Sequence, residues 1–168
     1  VQELLNDESV QQNLVAQTTP TTGDAFVISV PTPLSEPEKS PDLTYLEAAV
    51  DSILPYLKSG DLVNIESTVP PLTTGEMIVP ILEDAGFKPG VDVNVTHSPE
   101  RILPGNVFEE IVHNDRVIGG YTPECSRRAA GIYEPFLEGE IYHTDLVAAE
   151  LCKLMENTFR DVNIAIAN

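Results

Sequence analysis

A chain of 168 residues, 42% of them hydrophobic, can bury the core of one domain and begin a second. Its formal net charge of −18, from 9 basic against 27 acidic side chains, argues against general affinity for nucleic acid or anionic membrane. No apolar run approaches the roughly 18 residues that cross a bilayer, and the acidic opening "VQELLNDESVQQN" is no signal peptide, so a cytoplasmic protein is expected. The acids are scattered through "NDES", "EPEK", "LEDAG", "FEEI" and "LEGE" rather than gathered in one block. That spread fits adaptation to high salt, where screening removes self-repulsion; a merely acidic protein is the alternative.

In chain order, "VQELLNDES" reads as a helix entering from a preceding segment. "DAFVISVPTP" (24–33) is a β-rich run, apolar on both faces, that stops at a Pro-Thr-Pro turn; it predicts a strand buried in a parallel sheet. A proline-rich polar loop ends at Asp42, a good helix N-cap. "LTYLEAAVDSILPYLK" then has apolar residues at Leu43, Leu46, Ala49, Val50, Ile53 and Leu57, which is helical spacing, with Pro55 a kink or boundary. "GDLVNIEST" is the second strand, "PPLTTGEMIVPILEDAG" a helix closed by Gly86, and "DVNVTHSPE" the third strand. "DRVIGGYT" predicts a fourth strand, "PECSRRAAGIYEPFLEG" a helix opened by Pro123, and "EIYHT" a fifth strand. From 145 to 168 there is no Pro or Gly, and Leu151, Leu154, Met155, Thr158, Val162 and Ala165 hold a 3.6 period, so one long helix runs to the end. The alternation of strands and helices predicts an α/β fold with a largely parallel, Rossmann-like sheet, followed by a long α-helix.

Cys125 and Cys152 lie far apart without C-x-x-C spacing, and His97, His113 and His143 are equally dispersed. Neither a disulfide framework nor a metal site is expected.

Ligands of parallel α/β sheets bind beyond the carboxyl ends of the strands. Three segments stand at such ends: "VPTP" (30–33), "ESTVP" (66–70) and "SPER" (98–101). If the strands are neighbours, Thr32, Ser67, Thr68 and Glu100 converge on one crevice. The alternative is that Pro, Ser and Thr simply make turns. On the long helix, Lys153 and Asn157 are one turn apart on one face, with Arg160 near it. A lysine beside an apolar stripe either snorkels to solvent or faces an anion or a developing negative charge.

The segments "VPTP", "ESTVPPLTTGEMI", "SPERILPG", "NDRVIGGYTPECSRRA", "YEPFLEGE" and "AAELCKLMENTFRDVNIAIAN" occur in that order over nearly the whole chain. Together they resemble the UDP-glucose/GDP-mannose dehydrogenase family, which oxidises the C6 alcohol of a nucleotide sugar to a carboxylate. Arg101 in "PERILPG", "NDRVIGG" and "KLMENTFRDVNIAIAN" are similar to the branch acting on UDP-N-acetylhexosamines such as UDP-N-acetyl-D-mannosamine; UDP-N-acetylglucosamine and UDP-glucose are alternatives. The resemblance implies residues 1–144 as part of an NAD-binding Rossmann-like domain and 145–168 as the start of a helical dimerisation domain, with a homodimer built there. The glycine-rich NAD turn is expected before Val1, and the nucleophilic cysteine, in a "GGHC" context, and the UDP-binding domain after Asn168. "VIGGYT" lacks the spacing of such a turn, Cys152 points away from the Lys153–Asn157 face, and Cys125 is remote from the strand ends.

The family reaction is a four-electron oxidation with two NAD+, passing through a thioester on the cysteine. The resemblance implies Glu100 as a base acting through water, Thr68 as the holder of that water, and Lys153 with Asn157 as stabilisers of negative charge on the C6 oxygen. It implies Val30, Pro31, Thr32, Ser67 and Thr68 as NAD contacts, and Glu100, Arg101, Ile102, Leu103, Lys153 and Asn157 as substrate contacts. Leu72 departs from the family, which often has glycine there; this puts a close backbone approach at that point in question. Two other readings stay open: a non-catalytic α/β binding module, and a hydroxyacid-type dehydrogenase, against which the "SPER" carboxylate argues.

Overall fold

Short β-branched runs alternating with amphipathic segments leave each strand to bury both faces only by acquiring helical cover. The computed structural model describes residues 7–37, 39–102 and 105–168. Its sheet has five strands in the order β1-β2-β3-β4-β5: β1 (Ala25–Ile28), β2 (Leu62–Ile65), β3 (Asn94–His97), β4 (Arg116–Gly120) and β5 (Ile141–Asp145). β1, β2 and β3 are parallel, as are β4 and β5, while β3 and β4 run antiparallel. Among the described residues the α-helices are α1 (Glu8–Asn13), α2 (Thr44–Ile53), α3 (Val79–Asp84), α4 (Val107–His113), α5 (Pro123–Tyr133) and α6 (Leu146–Ala167). A π-helical turn, Thr74–Ile78, leads into α3.

The period of two along β2 divides the core. Val63 and Ile65 pack with Leu46 and Val50 of α2 and with Val79 and Leu82 of α3. Leu62 joins Ile118 and the α5 residues Ala129, Ala130 and Tyr133. Both side chains of the Gly119–Gly120 pair are absent for a reason. A Cβ on Gly119 would stand 2.7 Å from the Ala149 Cβ of α6, and one on Gly120 2.7 Å from the Ser126 nitrogen of α5. The two glycines let a helix rest directly on each face of β4.

One expectation needs correction, and three further features add to the sequence reading. β1 is an edge strand among the described residues, so Val27 is 46% exposed rather than buried. The "NVFEEIVHND" stretch forms α4, which carries no fully buried residue and so has little apolar periodicity to betray it. The apolar stripe of α6 faces outward, with Met155 69% and Val162 51% exposed. Its buried residues are Leu146, Ala149 and Glu150, all in the first two turns, because only that end lies on the sheet. The opening helix begins at Glu8 with Asp7 as its cap; residues 1–6, on which its entry from upstream was expected, lie outside the described residues.

Several local signals act as anticipated. Asp42 accepts from the Thr44 backbone N–H at 3.0 Å, one position before the assigned cap of α2. The α-helix stops at Ile53, just before Pro55, and continues as a 3-10 turn. Gly86 takes φ 93° past the end of α3. Asp145, which the sequence reading did not single out, caps α6 by accepting from the Ala148 N–H at 2.8 Å.

Candidate active site

The carboxyl ends of β1, β2 and β3 are adjacent, so the three strand-end segments meet. Ser67 laces the first two: its hydroxyl accepts from the Val30 N–H at 2.7 Å and donates to the Val30 carbonyl at 2.9 Å. Thr32 donates to the Thr68 carbonyl at 2.7 Å. Pro31 lies between these contacts on the exposed rim. A cleft of about 300 Å³ opens beside them, walled by Leu34, Val69, Pro70, Pro71 and Leu154 with Thr32 and Thr68 at its edge. Its walls are mostly apolar, with two hydroxyls among the lining residues.

Glu100 stands just past β3. Its Oε1 accepts from the backbone N–H of Arg101 at 2.6 Å and of Ile102 at 2.8 Å, which fixes the carboxylate against its own backbone. Its Oε2 is 3.8 Å from Nη2 of Arg116. The antiparallel course of β4 explains this neighbour. Thr96 faces Gly120 and His97 faces Gly119, so the first residue of β4 comes out beyond the end of β3. Arg116 is 7% exposed. It also lies 3.3 Å from Glu66 Oε1 and 4.0 Å above the Tyr133 ring. Tyr133 donates to Glu66 at 2.6 Å and accepts from the Asn64 amide at 2.7 Å, while Thr96 donates to Asn64 at 2.7 Å. Burial, with the Glu66 carboxylate next to it, pushes the Tyr133 phenol up. The sheet thus carries a connected polar network from its interior to Glu100. Spacing alone did not reveal it, because Glu66, Arg116 and Tyr133 are remote in sequence.

α6 crosses the mouth of this site and is bonded to two of the loops. Glu150 has no exposed surface, and its oxygens accept from the backbone N–H groups of Leu72 at 2.6 Å and Thr74 at 2.8 Å. Glu156 accepts from Arg101 through Nε at 2.9 Å and Nη2 at 2.6 Å. Lys153 lies between these two acids on the helix and is half-buried. Among the described residues no hydrogen bond or ion pair joins Lys153 or Asn157 to Glu100; the Asn157 oxygen accepts from Arg160 at 2.7 Å. Glu156 joins α6 to the Glu100 loop and Glu150 joins it to the loop after β2; sequence reasoning singled out neither. Ile102 is half-buried beside Glu100, and Leu103 lies outside the described residues.

Leu72 sits at φ 75°, where a Cβ is strained and glycine is not. The close approach at that point is real, but it comes from Glu150 to the backbone N–H, while the Leu72 side chain remains 45% exposed. Leu72→Gly is expected to stabilise the fold by up to about 1 kcal/mol, as relief of strain exceeds the added chain entropy. Leu72→Ala, which keeps the Cβ, should show no such gain in urea unfolding.

His97 is fully buried at the end of β3, opposite Gly119, and neither ring nitrogen has a partner among the described residues. Burial drives its pKa from 6.5 down to about 4, so the native state holds it neutral. The unfolded chain takes up the proton first as pH falls. The stability tied to neutral His97 is therefore complete above about pH 6.5 and is lost progressively toward pH 4. His97→Leu should reduce the stability lost between pH 7 and 5 by about 2 kcal/mol relative to wild type, measured by urea unfolding across that range. Identical pH dependence in the two proteins would refute this.

Residues 1–137 match the family model described as the NAD binding domain of the UDP-glucose/GDP-mannose dehydrogenase family. The chain belongs to that family. It is 51% identical over 158 residues to the UDP-N-acetyl-D-mannosamine dehydrogenase of Methanocaldococcus jannaschii, covering 93% of this chain and 36% of that protein. It is also 51% identical over 165 residues to the NDP-N-acetyl-D-galactosaminuronic acid dehydrogenase of Ralstonia solanacearum, covering 94% of this chain and 39% of that one. Among solved structures, the native UDP-N-acetyl-mannosamine dehydrogenase of Staphylococcus aureus superposes with a TM-score of 0.88 at 45% identity, over 95% of this chain and 40% of that one. The chain spans well under half the length of these relatives. The Rossmann-like fold and its relation to NAD-binding family members agree with what the motifs implied.

Proposed function

We propose that the full-length protein is an NAD-dependent nucleotide-sugar 6-dehydrogenase that converts UDP-N-acetyl-D-mannosamine to its uronic acid. What supports this reading is one arrangement: the loops bearing Thr68 and Glu100 are both bonded to the helix bearing Lys153 and Asn157, through Glu150 and Glu156. The relatives named for N-acetylated sugars favour that substrate class over UDP-glucose.

Bound NAD+ supplies the hydride acceptor. Val30, Pro31, Thr32, Ser67 and Thr68 form the rim that holds its nicotinamide end. Glu100 takes a proton through a water that Thr68 positions. Lys153 faces the C6 oxygen as negative charge develops there, and Asn157 donates to the same atom. Glu100 and the backbone of Arg101 and Ile102 border the sugar ring. Part of the outward stripe of α6, with Met155, Phe159, Val162 and Ile166 exposed, belongs to a homodimer interface. The protein works in the cytoplasm of a salt-adapted cell, which accounts for a net charge of −18.

The test supplies full-length protein with NAD+ and, in parallel, UDP-N-acetylmannosamine, UDP-N-acetylglucosamine and UDP-glucose, at low and high salt. NADH should form fastest with the first sugar, two per sugar oxidised. No NADH with any of the three overturns the proposal.

A further inference from the structure

We propose that Arg101 and Glu156 form a latch that positions the Glu100 loop against α6; the two are positioning residues rather than catalytic ones. The inference rests on the dehydrogenase reading for its purpose, though not for its geometry. One guanidinium joins three elements. Nε and Nη2 of Arg101 both reach Glu156 Oε1 on α6, and Nη1 donates to the Asp115 carbonyl between α4 and β4 at 2.9 Å. The backbone N–H of the same residue donates to Glu100. Arg101 therefore couples the carboxylate beyond β3 to the helix by a path one residue long. Glu156 is next to Asn157 and one turn from Lys153, and a helix is stiff over that distance. Closing the latch sets the spacing between Glu100 and both helix groups at once.

The exposures separate this role from simple stabilisation. The Arg101 and Glu156 side chains are 29% and 37% exposed, so the pair adds little to global stability. Glu150, fully buried, anchors the other loop through Leu72 and Thr74 independently. Breaking the latch should loosen one loop and leave the other held.

The experiment measures amide hydrogen exchange of the full-length protein without NAD+, alongside kinetics with UDP-N-acetylmannosamine. In Glu156→Ala, the Arg101 and Ile102 amides should exchange about tenfold faster while those of Leu72 and Thr74 keep wild-type rates. The kcat should fall about tenfold with KM for NAD+ unchanged. Glu156→Gln, which keeps the acceptor oxygen, should recover part of both effects. Unchanged exchange at Arg101 and Ile102, or equal acceleration at all four amides, overturns the latch. If the wild-type protein oxidises no UDP-sugar, the dehydrogenase reading fails, and the exchange result decides the latch on its own.

Discussion

Lys153→Met in the full-length protein is expected to lower kcat for UDP-N-acetylmannosamine oxidation by about 10²–10³-fold, roughly 3–4 kcal/mol of barrier. Met keeps the length and apolar stem of the side chain and removes only the charge. The stem lies in the half-buried part of α6 near Leu154, which lines the apolar cleft. A lysine that merely snorkels would be replaced there without kinetic consequence. A lysine facing a developing oxyanion would be missed chiefly in the transition state, so KM should change little. Steady-state kinetics of the variant separates the two, and a loss below about threefold would return Lys153 to the snorkelling reading.

Glu150→Ala is expected to destabilise the protein by about 3 kcal/mol in urea unfolding. The fully buried carboxylate satisfies two backbone N–H groups, those of Leu72 and Thr74. Truncation leaves both without a partner at about 1–3 kcal/mol each, offset in part by no longer burying a charge. Glu150→Gln should fall between, because an amide has one acceptor where the carboxylate has two. A loss below about 1 kcal/mol would mean that the loop after β2 is held by other contacts. The same variant should also accelerate exchange of the Leu72 and Thr74 amides, the reverse of the pattern expected for Glu156→Ala.

Hydrophobic period carried much of the fold. The β-branched runs at 62–65 and 94–97 became central strands, and the unbroken stretch after Asp145 became one helix. Turn chemistry carried the boundaries, as at Asp42, Gly86 and Pro123, the first residue of α5. α4 stayed hidden because a seven-residue helix with no buried side chain leaves almost no pattern. The stripe of α6 marked a long helix correctly and left its cover open: an apolar period marks a face that will be covered, without saying by what.

At the site, short strings of chain sufficed where chemistry is local. "VPTP", "ESTVP" and "SPER" end strands, as their turn residues imply; that β1, β2 and β3 are neighbours, which the sequence left as a condition, is decided by the sheet. The partners of those strings were a different matter. Arg116 meets Glu100 only because β4 runs antiparallel, and nothing in "NDRVIGG" declares that direction. Glu150 and Glu156 looked like ordinary acids in a chain with 27 of them. One has no exposed surface and the other grips Arg101, since each meets a loop far away in sequence. Strand, helix and turn are decided by neighbours a few positions apart, so a single sequence states them. Which acid is buried, and which cation it meets, depends on groups brought together from distant positions, and only the folded chain decides it.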